Sequence, residues 1–300
     1  MDNVVLIIGN GFDLDLKLKT KYIDFANSEL WPFDLGCTEF AEFLNKSKSD
    51  KTWFDLEQLI GEYACGFHLY GDTIKKHFRT TTKVDIEDYQ VLCEKLALYL
   101  QNAQKSEIDI QSTAAQVLHK VLQMSFSDSY NIYSFNYTDL NLIARKIGCN
   151  DNFTCHHIHG SLKDNNIILG CGDGENISHG YEFMRKSFNK NYNPPKILFD
   201  LLTRETIIFF GLSFGSIDYA YFNLFFDTIA NVEEVHKGYF KSKNIHIFTY
   251  DEKSRMEILH NIHERTNKRL SQISVINNLT FYRTNETEDK EKIAKFLSKD

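Results

Sequence analysis

Residues 4 to 14, Val4-Val5-Leu6-Ile7-Ile8-Gly9-Asn10-Gly11-Phe12-Asp13-Leu14, decide the fold of this chain. Five consecutive aliphatic residues with no polar alternation are the composition of a strand covered on both faces, and such strands belong to parallel sheets. The run stops at Gly-Asn-Gly, where missing side chains allow positive φ and close backbone approach. Asp13 follows two residues later. A buried strand that ends in a bare corner and opens a helix is the turn at which nucleotide pyrophosphates are held, by N–H groups at the positive end of the helix. The competing interpretation is a tight turn with no ligand, since Gly-x-Gly here lacks a third glycine.

Outward from that stretch, apolar runs rich in Val, Ile and Phe recur at 130–135, 155–159, 206–210, 245–249 and 279–283. Helical patterns lie between them, such as Ile23, Ala26, Asn27 and Leu30 behind a Thr20 cap, and Leu140, Ile143, Ala144 and Ile147 after Asp139. Strands alternating with helices predict an α/β fold, a Rossmann-like parallel sheet with helices on both faces. The stretch 36–127 breaks the alternation. Its periodicities (Trp53, Leu56, Ile60, Tyr63, Phe67; then Ile86, Tyr89, Leu92, Leu96, Tyr99) are helical and no strand stands out. The expected organisation is therefore a Rossmann-type domain of residues 1–35 and 128–300, with 36–127 as a helical insertion capping the carboxyl edge of the sheet, where open α/β sheets bind ligands.

Composition narrows the function classes. The 300 residues carry a net charge of −7, which argues against a phosphate-backbone partner, because nucleic-acid binding rests on clustered Lys and Arg. No basic leader and no run of eighteen apolar residues is present, so the expectation is a soluble, cytoplasmic protein that does not enter a membrane. The six cysteines form no C-x-x-C pair, which points to free thiols and to neither a zinc ribbon nor a disulfide scaffold. An aromatic content of 14% is compatible with a homo-oligomer and equally with a large core.

Three further turns carry polar groups. In Ile132-Tyr133-Ser134-Phe135-Asn136-Tyr137-Thr138-Asp139 a strand ends in a polar cluster; Asp139 suits a helix cap, and the Asn136 amide offers both donor and acceptor to the crevice. In Cys155-His156-His157-Ile158-His159-Gly160-Ser161, strand alternation puts Cys155, His157 and His159 on one face. A metal site is disfavoured there, because same-face strand neighbours do not supply a closed ligand set. His159, beside a glycine at the strand end, suits a proton acceptor, and His157 suits a hydrogen-bonded core histidine. In Ile207-Ile208-Phe209-Phe210-Gly211-Leu212-Ser213-Phe214-Gly215-Ser216-Ile217-Asp218, Ser216 or Asp218 suits a helix cap, while Gly-Leu-Ser-Phe-Gly fits the G-x-S-x-G nucleophile elbow. Asp227, His236, Asp251 and His260 follow, none in a persuasive turn.

Taken in order, GNGFD (9–13) with Thr20, Tyr22 and Phe25 behind it, Trp53 with Glu57, FNYTD (135–139), HIHGS (157–161) and GLSFGSIDY (211–219) resemble the AbiH family of bacterial abortive-infection proteins. More distantly, they resemble the sirtuin-like NAD-binding fold. The sirtuin-like resemblance implies that NAD+ is held by Gly9, Asn10, Gly11, Phe12, Asp13, Tyr137, Gly211 and Ser213, that Asn136 lies at the nicotinamide ribose, and that His159 is the base. It also implies that Ser213 is a cofactor contact and not a nucleophile. Two departures stand out: Thr138 separates Tyr137 from Asp139, so the aspartate's role does not carry over, and the zinc-binding cysteine pairs of protein deacylases are missing. The expectation is thus anti-phage defence through cleavage of NAD+ to nicotinamide and ADP-ribose, without a metal, in response to a phage-derived trigger. The alternatives are a nucleotide sensor without turnover and a serine hydrolase using Ser213.

Overall fold

The computed structural model describes residues 3–33, 38–50, 55–70, 73–76, 83–123, 130–231 and 241–298. Trp53 and His236, named above, lie outside these residues. Six strands form one sheet: β1 (Val4–Ile8), β4 (Tyr130–Ser134), β5 (Cys155–His157), β6 (Thr206–Phe210), β7 (Asn244–Thr249) and β8 (Asn278–Arg283). Two more, β2 (Phe67–Tyr70) and β3 (Thr73–Lys76), form a separate antiparallel pair.

Every pairing in the six-stranded sheet is parallel, and its order is β5-β4-β1-β6-β7-β8. Counted along the chain, the sheet's strands therefore run 3-2-1-4-5-6, the doubly wound arrangement in which the order reverses between the first and fourth strands. β1 sits at that reversal, paired with β4 on one side and β6 on the other, Val4 opposite both Tyr130 and Thr206. Its five residues are fully buried, and period two divides them between two cores: Val5 and Ile7 join the cluster containing Phe209, Phe222 and Phe226, while Val4, Leu6 and Ile8 join the one containing Phe210, Phe248 and Phe296. Helices Ile197–Thr203, Asn223–Ile229, Glu252–Arg265 and Leu270–Ile276 supply the first cluster; Asn10–Asp15, Thr113–Leu122, Leu140–Lys146 and Lys290–Ser298 supply the second. Helices thus cover both faces, and each buried aliphatic of β1 contributes roughly 1.5–3 kcal/mol of transfer free energy.

The chain divides into two compact units. The first, 1–18, 107–158 and 194–300, contains the whole six-stranded sheet; the second comprises 19–106 and 159–193. In the second unit the helix Lys83–Ala103 buries Asp85, Tyr89, Leu92, Leu96 and Leu100 along one stripe. The Asp85 carboxylate there accepts from the hydroxyls of Tyr63 (2.9 Å) and Tyr181 (3.2 Å), and a second buried charge, Lys186, pairs with Glu57 at 2.9 Å. Buried charges persist when paired in this way.

Four sequence expectations are corrected. The insertion is not free of strands, because Phe67 opens β2 where the periodicity continued it as helix; Gly66, at φ 90°, ends the helix Leu56–Ala64 just before it. Thr20 does not cap the helix Tyr22–Ala26, whose N-cap residue is Lys21. Neither Ser216 nor Asp218 caps Ser216–Tyr219, since Gly215 occupies that position without a side-chain bond. The strand expected over 155–159 ends at His157. Among the described residues no helix is long and apolar enough to cross a membrane.

Candidate functional site

At the carboxyl end of β1 the chain turns at Gly9 into the short helix Asn10–Asp15. A Cβ on Gly9 would lie 2.7 Å from the Gly211 carbonyl oxygen, one on Gly11 would lie 2.5 Å from the Gly211 Cα, and one on Gly211 would lie 2.4 Å from the Gly11 carbonyl carbon. Gly211 also sits at φ 65°, where a side chain is strained. The three glycines are therefore bare because two turns, one from each strand at the reversal, pack backbone against backbone. Their amides are committed in the same joint: Gly9 N–H donates to Phe210 O (2.9 Å) and Gly11 N–H to Gly211 O (3.0 Å). These two N–H groups are thus already bonded within the protein. Phe12 is fully buried, edge-on to Phe210 at 5.4 Å, so its ring serves the core and not a ligand; Asn10 is exposed.

Asp13 is the chemically distinctive group of this corner. It is 1% exposed, and its carboxylate accepts from the Thr138 hydroxyl at 3.0 and 3.2 Å. Burial pushes its pKa up to about 7, against the opposing effect of hydrogen bonds from Thr138 and Asn136. Thr138 passed in the sequence as a mere spacer, although a hydroxyl facing a buried carboxylate is the partner such a group requires.

Asn136 ties β4 to β1. Its Nδ2 donates to Gly9 O at 3.0 Å, its own N–H donates to the Ser134 hydroxyl (3.1 Å), and its carbonyl accepts from that hydroxyl (3.0 Å). The same carbonyl lies 3.0 Å from His157 Nδ1; a carbonyl only accepts, so Nδ1 carries the proton. Tyr137 is buried, and Asp139 caps the helix Leu140–Lys146 by accepting from Asn141 N–H at 3.0 Å. His156 stacks on Tyr133 at 5.1 Å, whose hydroxyl donates to Asp200.

His159 is 3% exposed and opens the second segment of the other unit, so it does not share the Asn136 unit. Its loop is held locally. Gly160, at φ 76°, would place a Cβ 2.1 Å from Asn166 O, and Ser161 donates its N–H to Asn166 Oδ1 and its hydroxyl to Asp164. The structure thus brings Gly9, Gly11, Asp13, Asn136, Thr138 and Gly211 together in one unit.

Ser213 is exposed, three residues beyond the end of β6, and its carbonyl accepts from Asn261 Nδ2 at 2.9 Å. Besides Gly211, the residue held at positive φ in this turn is Phe214 (54°), itself in the core and not Ser213, whereas an elbow strains its nucleophile. Asp251 is spent as the cap of Glu252–Arg265, accepting from the Ser254 N–H and hydroxyl. Among the described residues no group of three or more His, Cys, Asp or Glu side chains could hold a metal ion.

A family model described as "Bacteriophage abortive infection AbiH" matches residues 5–237, which takes in all four strand-end turns. No curated protein matches the chain.

Proposed function

The chain belongs to the bacteriophage abortive infection AbiH family, and we propose that it serves this anti-phage defence by hydrolysing NAD+ to nicotinamide and ADP-ribose at the carboxyl ends of β1, β4 and β6. One observation carries the proposal: the strand order reverses between β1 and β6, and a buried carboxyl group, Asp13, stands beside the joint at that reversal. Doubly wound sheets bind their ligands in the crevice outside such a reversal.

The bond between nicotinamide and ribose already has a cationic leaving group, so the protein has to orient the dinucleotide, stabilise an oxocarbenium-like state and place a water molecule. A carboxyl group that ionises near pH 7 in a dry setting is suited to this, since a cation close by favours its charged form. In this account Asp13 supplies negative potential, and Asn136 acts as a positioning residue by holding the Gly9 turn through its amide. The attacking water releases its proton to solvent once it has bonded to the ribose carbon. Ser213 and Asn10, both exposed at strand ends, are the ribose contacts. Turnover is held in check until a phage-derived trigger arrives, because unrestrained loss of NAD+ would kill the uninfected host.

A second mode, binding without turnover, is favoured by a specific fact: the Gly9 and Gly11 amides and the Asn136 amide are already committed within the protein. The two are separated by incubating purified protein with NAD+ and measuring free nicotinamide by chromatography. Hydrolysis predicts release, reduced about a hundredfold to a thousandfold in Asp13→Asn while the variant stays folded. NAD+ binding with no nicotinamide supports the sensor, and neither binding nor release contradicts both.

A further inference from the structure

On the first unit, in the short helix Ser216–Tyr219 that follows the β6 turn, lies a hydroxyl without a partner among the described residues. Tyr219 is 4% exposed, its ring is stacked on Phe226 at 5.9 Å, and its hydroxyl oxygen is buried with no hydrogen-bond partner among the described residues. Buried hydroxyls are ordinarily bonded, so this one calls for an explanation. The Arg265 guanidinium lies over the same ring at 5.2 Å from its centroid, and the charges acting on the hydroxyl are those of Asp227, Arg265 and Arg269.

The backbone holds these arginines in place. The helix Glu252–Arg265 ends at Arg265, and the chain then passes through Asn267 (φ 51°) and Lys268 (φ 65°), both left-handed, before Arg269. Lys268 N–H donates to His263 O at 2.8 Å, and Arg269 Nε donates to Thr266 O at 3.0 Å while its outer nitrogen pairs with Asp227. Two guanidinium groups, four residues apart, thus stand by a buried donor. One helical turn before Arg265 the same helix meets the turn after β6, where Asn261 Nδ2 donates to Ser213 O at 2.9 Å, and Tyr219 N–H donates to Gly215 O at 2.9 Å, so the guanidinium stands beside that turn.

We propose that Tyr219, Arg265 and Arg269 form a binding site for a phosphate group at the outer edge of the turn that follows β6. Guanidinium forks match phosphate oxygens in pairs, and a tyrosine hydroxyl supplies a further donor from below. Arg265 is exposed, so rotation of its long side chain uncovers the hydroxyl and keeps the guanidinium within reach of the same anion. Asp227 holds Arg269 in position and competes with the phosphate for it.

The test is calorimetric titration of the full chain with inorganic phosphate and, separately, with AMP, using sodium chloride of equal ionic strength as control. Saturable binding of either supports the site, and the arm that binds more tightly identifies free phosphate or a nucleotide as the source. Arg265→Gln is expected to weaken binding at least about tenfold, Tyr219→Phe by a few-fold to about tenfold, and Asp227→Asn to tighten it. No saturable binding in either arm overturns the proposal. So does unchanged affinity in Arg265→Gln, or a Tyr219→Phe variant that gains stability and binds phosphate as before. Nicotinamide release is read independently, so failure here leaves the NAD+ proposal standing.

Discussion

Gly11 and Gly211 show what a residue's spelling carries and what it does not. Gly-Asn-Gly after a buried strand reads directly as a bare corner, and the structure has one. What the corner is bare for could not be read, because the group filling the space belongs to Gly211, two hundred residues away, and only the pairing of β1 with β6 brings it there. Asp13 was likewise visible as a carboxylate beside the corner, while its burial and its Thr138 partner depend on β4 standing next to β1. That burial has a consequence for stability. The folded-state pKa, about 7, lies above the ordinary 3.8, so the folded protein holds a proton that the unfolded chain has released across this interval. Stability from this group is therefore present in full below about pH 4 and is lost as pH rises toward 7, at about 1.4 kcal/mol per unit. Asp13→Asn removes the titration. Urea unfolding of both proteins at pH 5 and pH 8 should show the variant gaining on the wild type by a few kcal/mol at the higher pH; a pH-independent difference contradicts the burial of an ionisable Asp13.

Among the elements, the strands of the sheet were legible, and so were most of their ends. Aliphatic runs announce β1 and β6 because both faces of a parallel strand are covered, and Thr206–Phe210 falls where the run does. Strand β5 stops at His157, two residues earlier than alternation suggests, and the chain passes into the other unit at His159. The hairpin Phe67–Tyr70 and Thr73–Lys76 escaped notice because its strands are four residues each and Phe67 continues the preceding helical period. Caps divide in the same way. Asp139 and Asp251 are caps, and their bonds are local enough to be foreseen; Ser216 begins its helix without such a bond. Asp139→Ala should therefore cost about 0.5–2 kcal/mol, with Ser216→Ala within about 0.5 kcal/mol of the wild type. Thermal unfolding of the two variants checks this, and equal losses contradict the assignment of the caps.

At the scale of the whole molecule, alternation of strand and helix was enough to name an α/β sheet, but not its order. A 3-2-1-4-5-6 sheet and other doubly wound sheets place the same runs along the chain, and only pairing between distant strands distinguishes them. The order matters because it locates the reversal, and with it the crevice in which a dinucleotide is proposed to lie. Family membership adds the biological setting of abortive infection and leaves the chemistry to the residues. The central claim is therefore one of place: NAD+ binds where β1 and β6 part. Hydrogen exchange followed by mass spectrometry, with and without saturating NAD+, tests it most directly. Protection concentrated in the peptides covering 9–15, 134–139 and 211–216 is the predicted result; an exchange pattern unchanged there, with protection elsewhere or nowhere, would contradict the account.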